Sequence, residues 1–286
     1  MEILGTGLSG LVGSKFVDLF SQKYSFSNLD LSVGVDITDI ESVRAKVRQS
    51  TSPVIIHMAA FTDATKAWEQ SGDTHGICYK VNVLGTENMA KVAAEFGKHL
   101  IHISTAFVFD GNKETMYVED DQTSPVEWYG YTKAKAEEVV QASEASWTIF
   151  RIDQPFRSDV FSRPDTAHKL AENLKKPGFK PFKDHWFAPT IIEDLSQVLD
   201  WAITHKPLGI FHATCNKKVS DYEYAVGIAR ALQIDVEITP GSLQEYLEKT
   251  QRPYQKNTAM SSSKLMQQAT GVKFTLLEEA LQKLKM

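Results

Sequence analysis

The chain has 286 residues, enough for one large domain or a main domain with a smaller companion. Hydrophobic residues make up 42% and charged residues 23%, which excludes wholesale disorder. A net charge of −5 speaks against general nucleic-acid binding, which depends on neutralising phosphates. Two cysteines far apart, Cys78 and Cys215, fit reduced thiols in a cytoplasmic protein. The N-terminus carries no basic leader, and no apolar run approaches the roughly 18 residues of a membrane span.

Taken in order, the pattern alternates strand and helix. Met1 to Leu4 is a short strand, followed by a glycine-rich turn and a helix over Leu11 to Phe20. A strand fits Tyr24 to Asp30 and a helix Ile40 to Arg48. Pro53 to Ala60 reads as a buried parallel strand and its loop, because helices on both faces leave such strands almost continuously apolar. One long helix is expected from His75 to Phe96, stopped by Gly97. Then come a strand at His99 to Ser104, a loop from Asp110 to Pro125, a helix over Trp128 to Ala145 and a strand at Trp147 to Arg151.

The second half is less regular. Gln154 to Asp184 has no clear period. Helices fit Ile191 to Thr204, Asp221 to Leu232, Ser261 to Ala269 and Leu276 to Leu284, with a strand at Gly209 to Ala213. The whole pattern predicts an α/β protein: a Rossmann-like doubly wound parallel sheet over residues 1–151. Residues 152–286 would form a smaller C-terminal substrate lobe, with some segments returning to the first domain.

The turn Gly7-Leu8-Ser9-Gly10-Leu11-Val12-Gly13 stands between a strand and a helix. There glycine allows a tight turn, and the helix N-terminus offers free N–H groups to a pyrophosphate. This makes Gly7, Ser9, Gly10, Leu11 and Gly13 candidate cofactor contacts; the alternative is a purely structural turn. Asp30, 20 residues after Gly10, is placed to hold an adenosine ribose and to repel a 2′-phosphate, favouring NAD(H) over NADP(H). Its alternative is a solvated loop aspartate. Asp36 is a second carboxylate at the same sheet end, or part of a helix N-cap region.

Tyr129 and Lys133 lie four apart and share a helix face. A free tyrosine has a pKa near 10, and a neighbouring ammonium favours its phenolate and lowers that value. Such a tyrosine can exchange a proton with a carbonyl oxygen. Alone, the pair reads equally as a surface helix pair. Ser104-Thr105-Ala106 follows a strand, at the carboxyl edge where open α/β sheets bind ligands; loop capping is its alternative. His99 and His102 point to opposite faces of one strand, and no spacing suggests a metal site. The basic, aromatic run Pro177 to Phe187 lines either a sugar-nucleotide pocket or a lobe contact, and Arg252 is a phosphate ligand or a surface salt bridge.

In this order the features resemble the extended short-chain dehydrogenase/reductase superfamily, and most of all its dTDP-4-dehydrorhamnose reductase branch. The matching stretches are Gly7-xx-Gly10-xx-Gly13, Asp36-Ile37-Thr38-Asp39, His57-Met58-Ala59-Ala60, Val81-Asn82-Val83-Leu84-Gly85-Thr86, Ser104-Thr105-xx-Val108-Phe109-Asp110-Gly111, Ser124-Pro125 and Tyr129-Gly130-Tyr131-Thr132-Lys133. The resemblance implies Thr105, Tyr129 and Lys133 as catalytic residues. It places Asp36 and Ile37 by the adenine and Ala59 and Ala60 beside the middle of the cofactor. It puts Thr105, Phe107 and Arg252 at the substrate, and it implies a homodimer. The branch usually reads Asp-Tyr where this chain has Ala106-Phe107, and Arg-Thr-Ser-Trp where it has Arg151-Ile152-Asp153-Gln154. The missing acid argues against dehydration. A ketosugar-nucleotide reductase is the leading expectation. A sugar-nucleotide epimerase and a non-catalytic nucleotide-binding regulatory subunit are the alternatives.

Overall fold

The computed structural model describes residues 1–250 and 252–286. In chain order the first half runs β1 (Glu2–Thr6), α1 (Leu11–Phe20), β2 (Ser25–Asn28), α2 (Ile40–Arg48), β3 (Val54–His57), α3 (Ala64–Trp68) and α4 (Ile77–Tyr79). A π-turn at Lys80–Leu84 leads into α5 (Gly85–Glu95), then β4 (His99–Thr105), α6 (Trp128–Gln141) and β5 (Trp147–Ile152). The second half adds α7 (Thr166–Leu174), β6 (Trp186–Phe187), α8 (Ile192–His205), β7 (Gly209–His212), β8 (Val219–Ser220), α9 (Asp221–Leu232), α10 (Leu243–Thr250), α11 (Ser263–Gln268) and α12 (Leu277–Leu281).

Six strands form one parallel sheet in the order β2-β1-β3-β4-β5-β7. Successive strand residues alternate between two cores. Ile3, Ile56, Ile101, Phe150 and Phe211 pack with α1, α8 and α11 on one face. Leu4, Ile55, Leu100 and Ile149 pack with α2, α5 and α6 on the other. Burial on both faces explains why these strands read as continuous apolar runs. The chain reverses direction across the sheet between β1 and β3, and a crevice opens there at the strands' carboxyl ends. The sixth strand and two of the helices covering the sheet come from beyond residue 191, so the second half is woven into the first. The rest of the second half gathers around the antiparallel pair β6–β8 and a core of Phe156, Phe187, Tyr224, Ile228 and Leu281.

Several expectations need correction. The long helix expected from His75 to Phe96 starts at Ile77 and is interrupted by the π-turn. The extra residue in that turn aims Asn82 inward, where its amide accepts from Phe61 N (2.7 Å) and donates to Phe61 O (3.2 Å) and Thr132 Oγ1 (3.0 Å). The second strand is shorter than Tyr24 to Asp30, and Asp30 lies past its end at the head of a short 3₁₀ turn. Helices α3, α7 and α10 have no apolar period long enough to read from sequence. Asp63 and Asp165 cap the first two by accepting from Lys66 N and His168 N.

Beneath the carboxyl edge of the sheet lies a buried ion pair. Glu137 on α6 accepts from Arg151 Nη2 (2.7 Å) and Nε (2.9 Å) and from the Ser104 hydroxyl (2.5 Å). Both side chains are almost fully buried, and the guanidinium lies over the Phe109 ring, 5.0 Å from its centroid. Removing one member strands a buried charge. Arg151→Met should therefore cost about 3–5 kcal/mol in urea unfolding, and adding Glu137→Leu to it should recover much of that loss.

Candidate functional site

A cleft of about 530 Å³ runs along the carboxyl edge from the glycine turn to the second half of the chain. Gly7, Gly10, Leu11 and Gly13 line one end, Ala59 and Ala60 the middle, and Thr105, Phe107, Tyr129 and Lys133 the far wall. Ten residues singled out by sequence, from four separate segments, thus share one cavity.

The glycine turn is closed by Gly10 N donating to Gly7 O at 3.0 Å. Gly7 has φ +69°, which favours glycine. A Cβ on Gly13 would lie 2.2 Å from Gly7 O, so α1 meets the turn at backbone distance. No side chain caps α1, leaving its first N–H groups free for an anion. Asp30 Oδ1 accepts from Gly7 N at 2.7 Å and Oδ2 from Ser9 Oγ at 3.4 Å. This brings the carboxylate to the rim of the turn. Asp36 is exposed and accepts from Thr38 N and Oγ1, while Ile37 is buried beneath Gly85. None of Ser9, Asp30, Asp36 and Ile37 lines the cavity itself.

The loop carrying Ala59 and Ala60 is held from below. Thr86 donates to Asn82 O (2.7 Å), so its oxygen accepts from His57 Nε2 (2.9 Å). His57 Nδ1 then accepts from the Thr6 hydroxyl (2.8 Å), whose oxygen accepts from Ala59 N (2.9 Å). Complete burial holds the His57 pKa down to about 3, and the neutral Nε2–H tautomer satisfies every bond.

At the far wall, Thr105 and Tyr129 line the cavity together, and the Thr105 hydroxyl accepts from Phe107 N at 3.3 Å. Helix α6 comes so near the turn after β4 that a Cβ on Gly130 would sit 2.1 Å from Phe107 O. Lys133 Nζ donates to Ile103 O at 2.7 Å and to His102 Nε2 at 3.3 Å. Burial lowers the Lys133 pKa to about 8. The Tyr129 phenol is not lowered as expected from its lysine neighbour. Burial first, and Glu127 second, push it above its usual range, with Thr105 acting the other way. The ammonium points toward β4, and the half-buried phenol lines the cleft.

Arg252 does not line the cavity. Its guanidinium donates to Glu127 Oε2 (3.1 Å), Ala64 O (2.9 Å) and Thr65 Oγ1 (3.2 Å), so it ties α3 to the start of α6. Tyr254, two residues on, was not singled out by sequence and does enter the cleft. Its ring meets Phe107 edge-on at 6.2 Å, and Phe107 meets Tyr129 edge-on at 5.7 Å. Arg163 and Lys169 also line the cleft and went unnoticed in a stretch without period. The aromatic run near Phe187 packs within its own lobe, where Phe182 meets Tyr246 and Phe187 meets Tyr224. Among the described residues no cluster of His, Cys, Asp and Glu could hold a metal ion, and no helix is long and apolar enough to cross a membrane.

A family model described as the RmlD substrate binding domain matches residues 1–285. The chain belongs to this family. Among curated RmlD-type relatives, the dTDP-4-dehydrorhamnose reductase of Mycolicibacterium smegmatis is 31% identical over 242 residues, covering 82% of this chain and 71% of that protein. The crystal structure of a dTDP-4-dehydrorhamnose reductase from Clostridium acetobutylicum superposes with TM-score 0.87 at 29% identity, over 99% of this chain and 98% of that one. A Bacillus anthracis dTDP-4-dehydrorhamnose reductase in complex with NADP shares the fold, with TM-score 0.88 at 23% identity over 99% and 97% of the two chains.

Gly13→Ala should force the RmlD-type turn open. Titration with NADH by fluorescence should show dinucleotide binding weakened roughly tenfold or more.

Proposed function

We propose that this protein is an NAD(P)-dependent reductase of the extended short-chain type, acting on a keto group of a nucleotide-linked sugar. The observation that carries the reading is the gathering of Thr105, Tyr129 and Lys133 in the same cleft as the glycine turn. The reductase names of the relatives support the substrate class.

The cleft suits a dinucleotide. Uncapped N–H groups of α1 meet the pyrophosphate, Ala59 and Ala60 flank the middle, and Lys133 holds the nicotinamide ribose. A bound reduced nicotinamide supplies the two electrons for the carbonyl carbon. Thr105 orients the keto oxygen by donating a hydrogen bond. Tyr129 gives that oxygen its phenolic proton. The raised phenol pKa keeps the proton in place until negative charge develops on the substrate oxygen. Lys133, charged below about pH 8, stabilises the phenolate left behind. Phe107 and Tyr254 would wall the sugar, and the basic side chains Arg163 and Lys169 suit its diphosphate.

NAD(H) is the favoured cofactor in this reading, because the Asp30 carboxylate at the rim of the glycine turn would repel a 2′-phosphate on the ribose. A cytoplasmic location and a homodimer belong to the same proposal. The epimerase and regulatory-subunit readings stand as alternatives, the second beside a 28% identical relative named methionine adenosyltransferase 2 subunit beta from Rattus norvegicus.

Tyr129→Phe should reduce turnover of a dTDP-4-ketosugar by roughly 10²–10⁴-fold while leaving cofactor affinity nearly unchanged. Near-normal turnover in that variant would overturn the mechanism. Asp30→Asn keeps an acceptor for Gly7 N but removes the charge. The ratio of NADPH to NADH affinity should rise about tenfold in this variant, read by parallel fluorescence titrations.

A further inference from the structure

His102 lies on β4, fully buried, and its Nε2 stands 3.3 Å from Lys133 Nζ. An ammonium has only donors, so Nε2 must carry the lone pair and Nδ1 the proton. That Nδ1–H has no partner among the described residues. The opposite tautomer would set a donor against a donor, and an imidazolium would set two cations together. A buried polar atom left unpaired is uncommon and costs stability. Here the cost falls on the side away from Lys133, and the lone pair is kept for the lysine.

We infer that His102 is a positioning residue for Lys133: its neutral imidazole accepts one ammonium N–H, Ile103 O accepts a second, and the third is left for the cleft. This inference rests on the reductase reading for its functional meaning, but its physical content concerns Lys133 alone. The groups facing that ammonium are few. Glu137 lies one turn along α6 and favours the charged form, as does Cys78 on α4. Tyr129 precedes it by one turn, and His102 on β4 and His57 on β3, whose rings lie 5.2 Å apart, press on it from the sheet. His57 is committed at both nitrogens to Thr6 and Thr86, so it offers Lys133 no lone pair. His102 is therefore the side-chain acceptor of the site's cation. Burial brings that cation's pKa down to about 8, within reach of ordinary working pH. Losing an acceptor of the charged form lowers the value further, so charge is lost from the alkaline side at a lower pH.

The test is a titration of Lys133 by ¹³C NMR in full-length protein labelled at lysine Cε, with the resonance assigned by its disappearance in Lys133→Met. This readout needs neither substrate nor turnover, so it stands even if the reductase reading fails. His102→Leu should lower the Lys133 midpoint by roughly one pH unit, a tenfold change in its acid constant. His102→Gln, whose amide oxygen reaches the Nε2 position, should restore it to within a few tenths. His102→Asn, which reaches only the Nδ1 position, should behave like the leucine variant. If leucine prevents folding, the contrast between glutamine and asparagine still decides. With turnover available, the alkaline limb of kcat should move down in parallel, with KM for the ketosugar little changed. Equal Lys133 midpoints in wild type, His102→Gln and His102→Asn would overturn the assignment.

Discussion

Helix α6 carries a proton donor and two buried charges along a single face, and the surrounding structure is arranged to satisfy them. Tyr129, Lys133 and Glu137 follow one another at four-residue intervals, one per turn, all directed at β4. The strand answers each. Thr105 lies beside the phenol in the cleft wall, Ile103 O and His102 accept from the ammonium, and Ser104 donates to the carboxylate. Glu137 needs more than a hydroxyl, and Arg151 from β5 supplies a two-point contact. Two strands and one helix are thereby fixed in register by electrostatics as well as by apolar packing. An unpaired charge at any of these depths would be far more costly than a lost contact.

A second set of polar bonds supports the opposite wall. Thr6 at the end of β1, His57 at the end of β3 and Thr86 on α5 form a chain ending on the backbone N–H of Ala59. The π-turn adds Asn82, which holds Phe61 and reaches Thr132 on α6. Neither set contributes a group that must move. Both hold the loops of the cleft on rigid strands and helices, so the cavity is formed before a ligand arrives.

The second half closes the cleft from above through ionic ties to the first. Arg157 donates to Leu11 O (3.2 Å) and Ser14 Oγ (2.8 Å) at the start of α1 and pairs with Asp159, which also accepts from Lys15. These ties hold the segment bearing Phe161, Arg163 and Pro164 over the glycine turn. Arg252 does similar work at the other end, against Glu127. A guanidinium expected to meet phosphate is thus spent on joining the lobes.

The parallel sheet, the glycine turn and the Tyr129–Lys133 pair were legible because each obeys a local rule. Two-sided burial makes strands continuously apolar, close backbone approach demands glycine at 7 and 13, and a helix face repeats every four residues. Helices α3, α7 and α10 were not legible, because short capped helices owe their stability to packing rather than to an apolar period. Nor were the roles of His102, Tyr254 and Arg252, whose partners lie far away along the chain. The direction of the Tyr129 pKa went wrong for the same reason: spacing gives proximity to a lysine, but dehydration and the course of the ammonium depend on what packs around them. Sequence by itself determined which backbone could form and which side chains shared a face. Tertiary structure alone decided which of those groups lose water and which partner each one meets, because desolvation and long-range hydrogen bonds exist only once distant segments are packed together.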